Sequence, residues 1–409
     1  MRANIIIFSL FLLLYSCSSQ PVQTGIEVLQ TREFDILKGK RVGLITNPTG
    51  VNSQLQSTID ILHEAKEVQL VALYGPEHGV RGNFSAGDEI EGSVDSKTQI
   101  PVFSLYGKTR KASPEMLKGI DVLVYDIQDI GARSYTYIST MGLSMETAAE
   151  NNIEFVVLDR PNPLGGNRVE GSLVEDGFFS FVSQYPIPYL YGFTPGELAT
   201  FLNEEGLLEN GVKCKLQVVK MKNWRRDMSF QETGLPWVPA SPHIPRSNSA
   251  FFCSATGIVG ELDANSVGIG YTLPFEVFAT PWLNADALAK KMNDMKMNGV
   301  IFRPVSFKPY YMKNKGKEHS GVQIHISDFG TVKITEIQFR LLQAAHELVP
   351  DSCLFKMNPA RWNMFDNVCG NKRIREKFTA NYRYEDIQDE WEKPAAIFST
   401  KKEKYHLYQ

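Results

Sequence analysis

The chain is poor in the residues from which metal centres and disulfide frameworks are built. Its 409 residues include 5 cysteines and 7 histidines, scattered with no C-x-x-C pair and no H-E-x-x-H. Neither a zinc site nor a disulfide scaffold is signalled, and none of the chemistry below calls for a metal or organic cofactor. Cys214, Cys253, Cys353 and Cys369 read as buried free thiols or, in an oxidising compartment, as one disulfide at most. No G-x-G-x-x-G follows the first strand pattern, and residues 75–82 lack the Lys-Ser/Thr of a P-loop, so nucleotide binding is unsupported. No G-x-S-x-G elbow marks a serine hydrolase. Lys and Arg never run beyond two in succession and the net charge is −3, which removes the electrostatic case for nucleic acid. Beyond the N-terminus no stretch is apolar for long enough to cross a membrane.

What is present begins with an address. Met1-Arg2 precedes an apolar run from Ile5 to Leu14, and Tyr15-Ser16-Cys17-Ser18-Ser19 follows. One positive charge ahead of about ten apolar residues is the layout of a secretory signal. Leu14-Tyr15-Ser16-Cys17 resembles the bacterial lipobox, whose cysteine is diacylated and becomes the mature N-terminus, and two acyl chains suffice for stable anchoring. The expectation is an exported lipoprotein with a signal over 1–17, a polar linker over 18–24 and an anchor to a bacterial membrane at Cys17. Ser18-Ser19-Gln20 lacks an acidic run of the kind that accompanies surface export, which favours the periplasm.

The remaining residues have ordinary globular composition, 43% hydrophobic and 22% charged, and their number implies two domains. Apolar, β-branched runs at residues 41–46, 68–74, 101–106, 121–126 and 153–158 read as strands. Helical patterns separate them at 53–65, 113–118 and 136–151. Such alternation predicts an α/β fold: a Rossmann-like, doubly wound, mostly parallel sheet covered on both faces. Thr194 and Glu197 have capping-box spacing ahead of another helix. A proline-rich connector over 235–245 places the boundary near Arg246, giving a domain over 25–246 and a smaller α+β domain over 247–409 with a strand at 321–326 and a helix at 332–348.

Ligands of open α/β sheets bind beyond the carboxyl ends of the strands. The loops there carry Asn47, then Glu77-His78, then Asp126, Gln128, Asp129, Arg133, Tyr135 and Tyr137, then Asp159, Arg160 and Asn162. Carboxylates flanked by Arg, Asn, Gln and Tyr fit a polyhydroxylated ligand, and cleavage of a glycosidic bond needs one carboxyl as acid and a second as base or nucleophile. Each residue also has a structural reading. Glu77 serves equally well as a helix cap, Asp126 and Asp159 as partners of loop amides, Asp129 with Arg133 as an ion pair, and His243 as a packed loop residue. His325 reads as structural.

The blocks Gly75-Pro76-Glu77-His78-Gly79, Tyr125 to Arg133, Leu158 to Pro163, Val169-Glu170-Gly171 and Ser241-Pro242-His243-Ile244-Pro245, in this order, closely resemble the exo-β-N-acetylmuramidase family typified by NamZ. The likeness extends to Gly321–Asp328. It implies an exo-acting glycoside hydrolase that releases N-acetylmuramic acid from the non-reducing end of peptidoglycan fragments, its active site in a cleft between the two domains. Carried over, Glu77 is the general acid, since a partly buried carboxylic acid can stay protonated until it reaches the glycosidic oxygen. His78 assists, and the second carboxylate is Glu170, Asp129, Asp126 or Asp159. Arg133 and Arg160 are candidates for the lactyl carboxylate of muramic acid. Asn47, Gln128, Tyr135, Asn162 and His243 complete the expected substrate contacts. One departure is Leu190-Tyr191-Gly192-Phe193, where relatives carry Arg-His-Gly. The alternatives are a non-catalytic muropeptide-binding lipoprotein and a metal-dependent deacetylase or esterase.

Overall fold

The computed structural model of the protein describes residues 20–82, 93–311 and 314–409. The expected signal segment and Cys17 lie outside these residues. Seven strands, β1 (Arg41–Thr46), β2 (Gln69–Gly75), β3 (Ser93–Val94), β4 (Pro101–Ser104), β5 (Val122–Asp126), β6 (Glu154–Leu158) and β7 (Lys215–Val219), form one sheet in the order β3-β4-β2-β1-β5-β6-β7. Every pairing is parallel except that of the short edge strand β3 with β4.

Alternation along the strands assigns the two faces. Val42 and Leu44 of β1, Val122 and Val124 of β5, and Val156 and Leu158 of β6 pack with α1 (Gly25–Thr31) and α2 (Thr58–Glu64). Their neighbours Ile45, Leu123, Tyr125, Phe155 and Val157 pack on the other face with α3 (Tyr137–Glu150) and α4 (Pro195–Glu204). Burying each such side chain contributes about 1.5–3 kcal/mol, so both faces demand cover. The doubly wound α/β arrangement predicted from the strand runs is the one found.

Local chemistry sets the helix ends. Thr194 Oγ1 accepts from the Glu197 amide while Glu197 accepts from the Thr194 amide, with Pro195 opening α4. The helix expected from Ser53 starts only at Thr58. Asn52 Oδ1 takes the amides of Gln54 and Gln56, bending that stretch into a turn, and Ser57 caps the helix instead. The helix expected at 113–118 is also a turn, with the Leu117 amide shared between the carbonyls of Ser113 and Pro114.

The second half contains α5 (Ser249–Gly260), β8 (Val277–Thr280), α6 (Ala285–Asp294), β9 (Val300–Phe307), β10 (His319–Ile326), α7 (Ile334–Leu348), α8 (Leu354–Met357), α9 (Trp362–Cys369), α10 (Arg373–Asn381) and α11 (Gln388–Lys402). Its sheet is antiparallel, in the order β8-β10-β9. One apolar cluster runs from Ile45 and Tyr125 through Tyr189 to Phe339, Trp391 and Tyr405, so the halves share a core. Cys214, Cys253, Cys353 and Cys369 are buried free thiols.

Residues after α11 return to the first sheet. The Tyr408 hydroxyl donates to Asp159 Oδ2 at 2.5 Å and accepts from the Met221 amide, while Leu407 N donates to Glu197. Lys402 is buried, and its ammonium bonds the carbonyls of Gly166 and Gly192 at 2.7 and 2.9 Å.

Candidate active site

Parallel strands deliver their following loops to one edge: Asn47 after β1, Glu77 and His78 after β2, Tyr106 after β4, Asp129 after β5. The loop after β2 turns sharply. His78 is left-handed at φ 73° and Gly79 follows at 72°. That backbone costs a histidine about 1–3 kcal/mol, a strain that persists where the surrounding structure enforces it. Glu77 and His78 are both half-buried at this turn.

The Tyr106 hydroxyl faces the Glu77 carboxylate. Burial first, and then this contact, push Tyr106 up to about 12, so it stays a donor. Tyr137 stands beside Asn47 and Tyr135 and within electrostatic range of both Glu77 and Asp129. Its ring meets that of Tyr135 edge-on, with centroids 4.9 Å apart, and its hydroxyl donates to the Ala240 carbonyl at 2.5 Å. On the far side, burial and then the neighbouring His78 hold His243 below its ordinary value. Its Nε2 is 3.2 Å from the hydroxyl of Tyr311, on the loop after β9, and the two rings stack at 15°. Both domains therefore contribute walls.

Among the described residues, four buried polar atoms here have no hydrogen-bond partner: Asn47 Nδ2, His78 Nδ1, Asp129 Oδ1 and the Tyr135 hydroxyl. An unpaired buried polar group costs about 1–3 kcal/mol, so a hydroxyl-rich ligand that bonded this set would recover part of that cost. Among the described residues, no group of three or more His, Cys, Asp and Glu side chains could hold a metal ion.

Of the expected second carboxylates, Asp129 alone keeps an oxygen open. Its Oδ2 accepts from the Gly131 amide at 2.7 Å and from the Tyr191 hydroxyl, while Oδ1 is unpartnered. Burial pushes its carboxyl up to about 6 against the lowering by these bonds. The departure noted at residues 190–193 thus supplies a hydroxyl to a site carboxylate. Both oxygens of Asp126 bond Arg160, and Oδ2 also takes the Thr58 hydroxyl. Asp159 accepts from Thr194, Gly196, Arg160 N and Tyr408. Glu170 pairs with Arg168 and caps α7 through the Thr335 amide and hydroxyl.

Other residues expected at the substrate are bonded within the protein. Arg133 is 1% exposed, and its guanidinium donates to the carbonyls of Ser172, Ile187 and Val368 instead of facing a ligand. Arg160 is tied to Asp126 and the Val51 carbonyl. The Gln128 amide bonds the carbonyls of Asp129 and Pro161. Asn162 bonds Phe193 O and Leu164 N, packed so closely on Gly131 (φ 82°) that a Cβ there would lie 2.3 Å from its Oδ1. A cavity of about 860 Å³ lies elsewhere between the domains, lined by Arg168, Glu170, Phe251, Lys333 and Trp391 among others, and Glu77 is not part of it. Its charges are already paired, Arg168 with Glu170 and Lys333 with Glu392, so it reads as an interdomain groove.

Tyr106, Ser241, Tyr191 and Tyr311 are the residues that strand-end reasoning missed. Tyr106 falls inside the strand expected over 101–106, whereas β4 ends at Ser104 and puts it on the following loop. Ser241, beside Tyr135, stands in the block that carries the resemblance but was given no role, and Tyr311 gave no signal without the tertiary contact.

Residues 42–248 match the sequence profile described as "Exo-beta-N-acetylmuramidase NamZ, N-terminal", and residues 253–408 match its C-terminal counterpart. The chain is 44% identical over 387 residues to the peptidoglycan beta-N-acetylmuramidase NamZ of Bacillus subtilis (strain 168), covering 95% of this chain and 91% of that protein. A crystal structure of a DUF1343 family protein from Bacteroides fragilis NCTC 9343 superposes with a TM-score of 0.92 at 56% identity, over 95% of this chain and 99% of that one. A second DUF1343 protein of that organism gives 0.74 at 28% identity, with the same coverage.

Proposed function

The chain belongs to the NamZ family of exo-β-N-acetylmuramidases, and from that premise we propose that it removes N-acetylmuramic acid from the non-reducing end of peptidoglycan fragments by carboxylate acid/base catalysis. The observation that carries the chemistry is the Glu77 carboxylate under the Tyr106 hydroxyl, on the same strand edge as the open oxygen of Asp129.

Glu77 gives its proton to the glycosidic oxygen as the bond to the anomeric carbon breaks. Tyr106, still protonated, donates to the carboxylate that remains and so favours the transfer. Asp129 Oδ1, ionised above about pH 6, accepts a proton or a hydrogen bond from the attacking water or from the 2-acetamido N–H. Asn47, Tyr135 and His78 offer unpaired polar atoms for sugar hydroxyls and the acetamido group.

The test is incubation with MurNAc–GlcNAc and a panel of muropeptides, with the released sugar and its anomer read by NMR. Free N-acetylmuramic acid is the expected product. Binding without release would sink the catalytic reading in favour of a carrier, and loss of activity on chelation would point to metal-assisted chemistry.

We further propose that the enzyme is exported and lipid-anchored at Cys17, facing the periplasm, on the strength of residues 2–19. Cys17→Ser is expected to move it from the membrane fraction to the soluble one; unchanged membrane association would refute the anchor.

A further inference from the structure

We propose that Arg110 reads the lactyl carboxylate of the muramic acid ring, an assignment that rests on the function proposed above. N-acetylmuramic acid differs from N-acetylglucosamine by the 3-O-lactyl ether that bears this carboxylate, and a site that discriminates between them by charge calls for a cation on one wall. The two arginines expected from the sequence to read that carboxylate are unsuitable. Arg133 and Arg160 are buried, with Arg133 Nη1 and Nη2 on backbone carbonyls and Arg160 Nε and Nη2 on Asp126 and the Val51 carbonyl.

Arg110 is placed differently. It is exposed, on the loop that follows β4 and carries Tyr106. Its guanidinium carbon lies 4.4 Å above the ring of the buried Phe181, whose centroid is 6.3 Å from that of Tyr106. Phe181 thus bridges Arg110 to the tyrosine that faces Glu77, and the charge of Arg110 is felt at the Tyr106 hydroxyl. A guanidinium lying on an aromatic face is held in position while its N–H donors point outward in its own plane. That geometry suits a carboxylate, which takes two parallel hydrogen bonds from such a fork. A pyranose whose anomeric oxygen meets Glu77 has its 3-O-lactyl arm on another side of the ring, and Arg110, linked to the acid through Phe181 and Tyr106, is the cation of this loop that we assign to it.

The test combines a change in the protein with a change in the ligand. Wild-type enzyme is assayed on MurNAc–GlcNAc with a free lactyl carboxylate and on the same disaccharide with that group converted to the carboxamide. The amide is expected to lose about tenfold to a hundredfold in kcat/KM, the range of a charge-assisted hydrogen bond. Arg110→Ala should lose the same factor on the acid and treat acid and amide alike, and Arg110→Lys should fall between. A variant that keeps the preference for the acid, or that loses equally on both substrates, overturns the assignment. Calorimetric binding of free N-acetylmuramic acid against N-acetylglucosamine gives a second reading, in which Arg110→Ala should abolish discrimination and retained discrimination would again overturn it. If the wild type hydrolyses neither disaccharide, the proposed activity fails, and the binding comparison still decides the role of Arg110.

Discussion

Arg160 and Asp126 meet in a two-point ion pair that solvent scarcely reaches, Nε lying 2.5 Å from Oδ1 and Nη2 3.0 Å from Oδ2. Removing one partner leaves the other charge buried and alone, which costs about 3–5 kcal/mol. Arg160→Ala is therefore expected to unfold at markedly lower urea, with KM of the surviving folded enzyme unchanged. A raised KM at wild-type stability would return Arg160 to the substrate.

Glu77→Gln keeps the shape of the side chain and removes its acid. General acid catalysis is worth about 10²–10⁴ in rate, so kcat should fall by that factor. Affinity for MurNAc–GlcNAc, measured by calorimetry, should stay close to wild type. Full activity in this variant would take Glu77 out of the mechanism.

The pH response follows from Asp129. Its carboxyl is raised from 3.8 to about 6 by burial, so kcat/KM should decline as pH falls below 6, and Asp129→Asn should be nearly inactive throughout. Stability runs the other way. The folded protein holds this proton more tightly than the unfolded chain does, so the group's contribution is fully present below about pH 4 and is lost as pH rises through 6. Thermal midpoints should therefore show Asp129→Asn gaining on wild type between pH 5 and pH 8.

Strand runs such as residues 41–46 were legible because a sheet covered on both faces selects apolar residues at every position, and the site edge follows from parallel topology. The motifs put Glu77 just after a strand, and β2 does end at Gly75. What they could not separate was a polar residue facing a ligand from one facing its own backbone. Arg133 and Asp126 lie in the same block as Asp129, yet their partners are the Val368 carbonyl and Arg160, far away in sequence. Only the tertiary fold decides between those roles. Helix onset at Thr58 was missed for a local reason, the Asx-type turn at Asn52.

Tyr408→Phe deletes one hydroxyl and with it the bonds to Asp159 and the Met221 amide. Two buried groups lose a partner, at a cost of about 1–3 kcal/mol each. A lowered denaturation midpoint is expected, with kcat on MurNAc–GlcNAc unaltered while the protein is folded. An unchanged midpoint would show that the tail contributes nothing to the sheet end.

Those tail contacts set a timetable for the growing chain. Asp159 meets Tyr408 across a separation of 249 residues, Gly166 meets Lys402 across 236, and Arg133 meets Val368 across 235. Until the ribosome has made the later partners, the first sheet carries a buried carboxylate and a buried guanidinium with part of their bonding missing. Its native packing then waits for nearly the entire polypeptide, and high contact order of this kind slows folding. For the export proposed above, that delay is an advantage, since the chain meets the export machinery before it closes on itself.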